Sequence, residues 1–416
     1  METQQHRTTA LVVGAGIGGL TAAATLSRAG LDVRVYERAT ELRAAGSGLS
    51  VMTNALTALS GFGMDLKLEE HGRAVEVFKI LDRRGRLIRE QPLREVSDRL
   101  GAPCVSISRA ALQNALLGQV GDVPLELGAA ATGYESDDDG VTVRFADGTT
   151  ARGDILVGAD GLRSAVRRQL AGPEEERDSG YLCWLAVVPF EDRRLPPGYV
   201  GHYWGRGRRF GLIDIGHGRY YWWGTRNMPA ARSRSWSGGK DDVVRAFDGW
   251  APEVRRIIQE TPEDVILTMP SCDRVFLERW GDGPVTLLGD AAHPMLTSLG
   301  QGAAMAIEDA VVLAHAVAGH PGRPRAGLRA YEEARRERTR TMVTASRRTS
   351  GIEQLQHPVA TALRDAFLRW VPKSVLSRQF EAALTFPAPV GPAPTGAAAA
   401  GVRADPEDRV TGEIGP

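Results

Sequence analysis

The first forty residues constrain this chain most. A short β-prone run from Thr8 to Val13 feeds directly into Gly14-Ala15-Gly16-Ile17-Gly18-Gly19. A helical stretch follows from Leu20 to Ala29, and Asp32 to Glu37 alternates as a second strand should. That is a complete βαβ unit with its glycines at the first turn. Each glycine has a mechanical reason. Gly14 permits the tight turn, Gly16 lets a pyrophosphate approach the backbone, and Gly19 lets the helix pack on the strand. The helix N-terminus offers unpaired N–H groups and a positive dipole end to phosphates. Glu37 closes the second strand 18 residues after Gly19, near the roughly 20 at which a carboxylate meets ribose hydroxyls. The pattern predicts a bound dinucleotide and does not choose between a nicotinamide and a flavin.

The middle of the chain reads differently. Gly140 to Asp147 is a strand ending in the turn Asp147-Gly148, and Asp154 to Ala159 is a more apolar one. From Gly180 to Met228 short aromatic strands are separated by glycines and prolines, as in a mostly antiparallel sheet. Six of the eight Trp lie between Trp184 and Trp250. At Pro284 the strand, glycine loop and helix pattern returns, with a helix beginning near Gly302. A charged helix over Ala326 to Arg348 and further helix within Pro358 to Leu384 complete the ordered part. The simplest architecture is a discontinuous α/β domain (8–74, 106–178 and 271–350) enclosing a β-rich one (75–105 and 179–270). A helical segment over 351–386 follows, then a Pro-, Gly- and Ala-rich tail over 387–416 that reads as disordered.

Composition excludes several function classes. With 51 basic and 51 acidic residues in 416, the net charge is zero, which argues against a reader of the nucleic-acid backbone. It argues equally against a surface held to anionic lipid. Only Lys67, Lys79, Lys240 and Lys373 are Lys; the other 47 basic residues are Arg, a composition bias rather than a chemical signal. Cys104, Cys183 and Cys272 are far apart and form no CxxC or Cys/His cluster, so neither a metal site nor a disulfide framework is expected. Asp137-Asp138-Asp139-Gly140 lacks the rest of a calcium loop and reads as a turn. Met1 to Thr9 is polar, without the apolar core of a signal peptide, and no run reaches the ~18 apolar residues of a membrane span. A cytoplasmic protein is expected.

Two later motifs carry more chemistry. Leu156-Val157-Gly158-Ala159-Asp160-Gly161-Leu162-Arg163-Ser164 runs from a strand into a polar loop. Leu287-Leu288-Gly289-Asp290-Ala291-Ala292-His293-Pro294 continues through Gly300-Gln301-Gly302 to Glu308-Asp309. Asp290, at a strand end, can hold a polyol hydroxyl. Gly300 to Gly302 can set backbone N–H groups against an electron-rich heterocycle at a second helix N-terminus.

The ordered series GxGxxG, GADGxxS and GDAAHP…GQG resembles the single-component, class A flavoprotein monooxygenases with the p-hydroxybenzoate hydroxylase fold, over roughly residues 8 to 350. The resemblance implies an α/β fold, with a Rossmann-like FAD-binding domain of the GR2 type, an inserted β-rich substrate domain and C-terminal helices. It implies FAD, with Gly14, Gly16, Ile17, Gly18, Gly19, Glu37 and Arg38 around the ADP half and Arg109 at the pyrophosphate. Gly289 and Asp290 would hold the ribityl or pyrophosphate region, and Gly300, Gln301 and Gly302 would lie beside the isoalloxazine. Asp160 would touch both flavin and nicotinamide cofactor, and Gly48 lies in the loop that accommodates movement of the flavin ring. Members commonly have Pro where this chain has Thr297.

The implied activity consumes NADH or NADPH and O2, forms a flavin C4a-hydroperoxide, and hydroxylates an electron-rich aromatic or heteroaromatic small molecule. Epoxidation of a conjugated alkene, polyketide or terpenoid by the same oxidant, and a nucleotide-binding partner protein without turnover, stay open. So does the oligomeric state. Trp204 to Gly211 and Gly218 to Trp223 are similar to the branch containing FAD-dependent urate hydroxylase, zeaxanthin epoxidase and 3-hydroxybenzoate 6-hydroxylase. In the urate enzyme an Arg and a Tyr matching Arg209 and Tyr221 face the substrate, which implies a catalytic role for both here. His293, by its motif position, is expected to be mostly structural.

Overall fold

The computed structural model describes residues 7–42 and 46–389. Met1 to His6 and most of the expected tail, from residue 390 on, lie outside the described residues. Thr9–Val13 sits centrally in a six-stranded sheet, parallel to Asp32–Glu37 on one side and to Ile155–Gly158 on the other. Val285–Leu287 extends the sheet beyond Ile155–Gly158, and Leu125–Leu127 beyond Asp32–Glu37. Strands 140 and 270 residues apart in the chain thus meet beside the glycine turn, which is how an inserted domain leaves the sheet intact. The first helix spans Ile17–Arg28, so the expected start at Leu20 moves three residues earlier: Gly18 and Gly19 belong to its first turn. Its small residues let the helix Gly302–Ala318 approach until Thr25 Oγ1 donates to the Ala310 carbonyl at 3.1 Å.

A second, seven-stranded sheet runs in the order Leu267–Asp273, Arg177–Pro189, Arg219–Asn227, Arg208–Asp214, Tyr199–Trp204, Val77–Asp82 and Leu87–Gln91. Strand alternation divides its side chains. Phe210, Leu212, Tyr220 and Trp222 pack with Phe247, Val254 and Ile257 of the helices Lys240–Ala246 and Pro252–Glu260 and the turn between them. Arg209, Gly211 and Ile213 stand opposite Thr225, Trp223 and Tyr221 in the ladder, so these six share the reverse face. That face looks toward the glycine-turn domain. Gly211 is required there, because a Cβ would lie 2.2 Å from the Trp223 ring.

The remaining differences from expectation have local causes. The strand Gly140–Phe145 joins a separate three-stranded sheet. The expected helical stretch from Pro358 splits into Pro358–Trp370 and Lys373–Leu384 at Val371-Pro372, since the residue before a proline disfavours helical backbone. The charged helix is longer than expected, Pro324–Glu353, and its last turn brings in an acid that the sequence reading passed over.

Candidate active site

The glycine turn has the shape a diphosphate requires. Gly14 has φ +105°, and a Cβ there would lie 2.5 Å from the Ala159 carbonyl oxygen. A Cβ at Gly19 would lie 1.9 Å from the Gly14 oxygen, so strand and helix touch through these two residues. A Cβ at Gly16 meets nothing within 4 Å: here the backbone is bare toward the outside. Ile17 is buried, and Gly18 abuts Leu288 and Ala306. Glu37 accepts from the backbone N–H of Ala15 (2.7 Å) and of Ala39 (2.9 Å), which pins the second strand to the turn, while Arg38 is exposed beside it.

Arg109 and Asp290 face each other's field across the opening. Arg109 starts the helix Arg109–Val120, is exposed, and makes no side-chain hydrogen bond among the described residues. Asp290 keeps surface open to solvent although protein crowds it, so it projects into a deep cleft; that crowding pushes its carboxyl up, and His293 and Arg109 pull it back. Asp160 caps the helix Ala165–Ala171 through Oδ2 and the Ala165 N–H (2.7 Å), while its Oδ1 is buried without a partner. An unfilled acceptor, an unpaired guanidinium and a bare glycine along one cleft fit a dinucleotide with polyol and diphosphate groups.

The Gly300-Gln301-Gly302 loop is held from below. Thr297–Leu299 forms one 3-10 turn without the common proline and ends at Gly300, whose φ is +63°. Gln301 Oε1 accepts from Asn54 Nδ2 (3.0 Å), which also donates to Glu308 Oε1 (2.6 Å). Arg335 donates to Glu308 Oε2 and to Asp309 Oδ1, both at 2.6 Å, and Arg338 donates to Glu308 Oε1 at 2.7 Å. Asp309 Oδ2 accepts from the Gly289 N–H (3.1 Å) and is hydrogen-bonded to His293 Nε2 (2.6 Å). Burial works against the charged form of Asp309, but His293 and Arg335 outweigh it and hold its carboxyl below the usual range. His293 is itself 1% exposed, so its place is to fix the Gly289–Asp290 turn, in line with a structural role.

On the sheet face opposite this loop, Tyr221 meets Gly48: a Cβ at position 48 would lie 2.5 Å from that of Tyr221. Cys183, His202, Tyr221 and Trp223 each keep some accessible surface although they lie deep in the protein, so they border the same internal cleft. Burial raises the Tyr221 hydroxyl well above its ordinary pKa and leaves it protonated. Burial, with Arg209 nearby, lowers His202 to about 3. A surface hollow of about 650 Å³, bounded by Phe190, Arg194, Tyr220 and Arg256, lies on the side where Phe190 and Tyr220 pack and contains none of these residues.

The His202 shift has a sign that can be checked. Folded His202 titrates near 3 and an unfolded one near 6.5, so between those values the unfolded chain binds the extra proton and stability falls as pH falls. His202→Gln removes this loss. From pH 7 to pH 5 the wild type is expected to lose roughly 1–2 kcal/mol more than the variant, read from paired melts at the two pH values. Equal losses in both proteins would contradict the neutral, buried imidazole.

The structure therefore brings Gly14, Gly16, Ile17, Gly18, Gly19, Glu37, Gly289, Asp290, Gly300, Gln301 and Gly302 onto adjoining turns of one sheet and its two helices, with Arg109, Asp160 and Gly48 bordering them. It treats Arg209 differently. Arg209 is 2% exposed, donates to the Glu353 carboxylate, to Ser298 Oγ (3.3 Å) and to the Tyr181 hydroxyl (3.4 Å), and stacks 4.9 Å from the Trp223 ring. Sequence reasoning named Glu308-Asp309 as the end of the glycine-loop motif without giving them a role, and passed over Asn54, Arg335 and Glu353. The pair Glu308-Asp309 did carry a signal, two acids inside an otherwise apolar helix; Asn54, Arg335 and Glu353 carried none.

Comparison with known proteins agrees with this geometry. A family model described as an FAD binding domain matches residues 7–346. The aurachin C monooxygenase/isomerase of Stigmatella aurantiaca is 39% identical over 367 residues, covering 87% of this chain and 94% of that protein. The FAD-dependent urate hydroxylase of Klebsiella pneumoniae is 34% identical over 345 residues, covering 82% and 90%. The crystal structure of Klebsiella pneumoniae HpxO with FAD and uric acid superposes with a TM-score of 0.85 at 31% identity, covering 93% of this chain and all of that one.

Proposed function

The chain belongs to the FAD-dependent flavoprotein monooxygenases with the p-hydroxybenzoate hydroxylase fold, and on that premise we propose that it hydroxylates a small, electron-rich aromatic or heteroaromatic molecule bound between Tyr221 and the flavin. NADH or NADPH serves as reductant and O2 as oxygen donor, in the cytoplasm. The observation that carries this reading is the contact between Gly48 and Tyr221. It joins the loop expected beside the flavin ring to a residue on the substrate sheet. The urate hydroxylase, and the uric acid bound in HpxO, support a flat heteroaromatic ring as the class of substrate.

Bound FAD supplies the activation of O2 that no side chain can perform. The chain's own residues do the rest. Gly14, Gly16, Gly18 and Gly19, with the first helix, receive the diphosphate; Glu37 and Arg38 take the adenosine side; Arg109, Asp160, Gly289 and Asp290 hold the middle of the cofactor. Gly300, Gln301 and Gly302, locked by Asn54, carry the flavin ring. Tyr221, kept protonated by burial, orients a substrate oxygen by hydrogen bonding. Val187, Ile213 and Trp223 beside it exclude water from the reacting carbon. Arg209, stacked on Trp223 and paired with Glu353, holds that ring in place on the cleft wall.

The test is NADH and NADPH consumption by FAD-loaded protein in air, with peroxide quantified, across a panel of electron-rich aromatics. One compound is expected to accelerate oxidation with little peroxide formed. Tyr221→Phe is expected to lower coupled kcat/KM about tenfold and to raise the peroxide share, with substrate-free oxidation retained. No oxidation of either nucleotide under any condition would refute the proposal.

A further inference from the structure

We propose that Glu353 sets the substrate class: by neutralising Arg209 it leaves the substrate wall without net charge, so the site takes neutral aromatic rings and rejects aryl carboxylates and other organic anions. This rests on the monooxygenase reading and narrows it. A lone arginine behind an aromatic pocket would attract an anion. Here its charge is already matched. Both side chains of the pair are essentially sealed, at 2% and 3% exposure; the Arg209 nitrogen that meets Glu353 also donates to Ser298, the second terminal nitrogen donates to Tyr181, and Nε is buried without a partner.

The pair is built into the fold. Glu353 is the last residue of the helix Pro324–Glu353, so its carboxylate adds to the negative end of that helix's dipole. The helix end is tied down on several sides. Gln354 Nε2 donates to Thr225 Oγ1 at 2.7 Å, Arg364 donates to the Glu353 carbonyl at 3.2 Å, and Ser350 Oγ is bonded to the Tyr181 hydroxyl at 3.1 Å. The backbone that carries Glu353 is thus held in place, and the carboxylate can leave Arg209 only by breaking a sealed ion pair.

The other charges near the wall do not replace it. His202 is uncharged at neutral pH. Arg109 also acts on Tyr221, but it stands at the cofactor's diphosphate end, where the ligand itself supplies the countercharge. An incoming carboxylate would meet Glu353 behind Trp223 and find no free cation. Displacing Glu353 would leave a buried carboxylate unpaired, which costs more than a new ion pair returns.

Salicylamide and salicylate, one neutral and one anionic at pH 7, form a matched pair of probes. Each is titrated into the FAD-loaded full chain while the flavin absorbance is followed. The wild type is expected to bind salicylamide at least about tenfold tighter than salicylate, and Glu353→Gln to move that ratio at least about tenfold toward salicylate. The double variant Arg209→Gln/Glu353→Gln, uncharged again, is expected to restore the preference for the amide, and it also covers a failure of the single variant to fold. Equal binding of both probes by the wild type, an unmoved ratio in Glu353→Gln, loss of the amide preference in the double variant, or no response to either probe in any protein would each overturn the proposal. NAD(P)H oxidation in the same preparation, with and without the aromatic panel, separates the two claims. Its absence under every condition fails the monooxygenase reading, whereas a wrong ratio with oxidation intact fails the charge argument alone.

Discussion

Gly19→Ala is expected to yield protein that purifies without flavin. The added Cβ would lie 1.9 Å from the Gly14 carbonyl oxygen. Gly14 cannot retreat, because it is held at φ +105° with its own Cα face against Ala159. The first helix must move off the strand, and the N–H groups proposed to receive the diphosphate move with it. Overpacking of this kind costs about 1–3 kcal/mol in fold stability, and the same displacement weakens FAD binding by roughly 100-fold. Flavin absorbance per protein and a thermal melt read both effects. Gly16→Ala separates them, because that Cβ meets no protein atom within 4 Å: the fold should melt normally while flavin is lost. A Gly19→Ala protein with full flavin content and an unchanged melt would disprove the account.

The second large effect is expected at Arg335. Arg335→Met removes the guanidinium from between Glu308 and Asp309, both fully buried, and leaves only Arg338 and His293 to compensate them. Breaking a buried ion pair from one side costs about 3–5 kcal/mol, a fall in Tm of about 3–6 °C for a protein of this size. Because Glu308 also holds Asn54 and through it Gln301, flavin content should fall with stability. The pH dependence has a fixed sign. Asp309 is held below its ordinary value of 3.8, so its stabilisation is present above that value and lost as pH falls below it. The deficit of the variant is therefore at its full size from neutral pH down to about pH 4 and shrinks only below that. A melt unchanged at neutral pH would show that the network carries no stability.

The glycine turn was legible because its geometry tolerates almost no substitute: Gly14 and Gly19 touch backbone on both sides, so residue type reports shape directly. The loop at Gly300 was legible for a related reason, since Gly300 has φ +63°, a conformation that favours glycine. The helix start at Ile17 was not, since glycines inside a first turn look like a loop. The sheet was legible as a sheet but not by face. Tyr220, Tyr221, Trp222 and Trp223 are all aromatic, so polarity does not alternate, and only the ladder shows that Tyr221 and Trp223 look toward the site. Glu353 was invisible. It follows a charged stretch that reads as a solvated helix, and its partner, one Arg among 47, lies 144 residues away.

The same sheet separates two jobs along single strands. On Arg219–Asn227 the residues that close the core and those that meet the cleft alternate one by one, and neighbouring strands keep the register. On the proposed reading, a change at Cys183, Val187, His202 or Tyr221 is expected to alter what the cleft accepts, while Trp184, Tyr203, Phe210 and Trp222 go on holding the domain together. Cleft-facing and core-packing positions are thus separated residue by residue along the same strands. A lineage, or a saturation library confined to the cleft-facing positions, can wander between ligands without passing through unfolded intermediates.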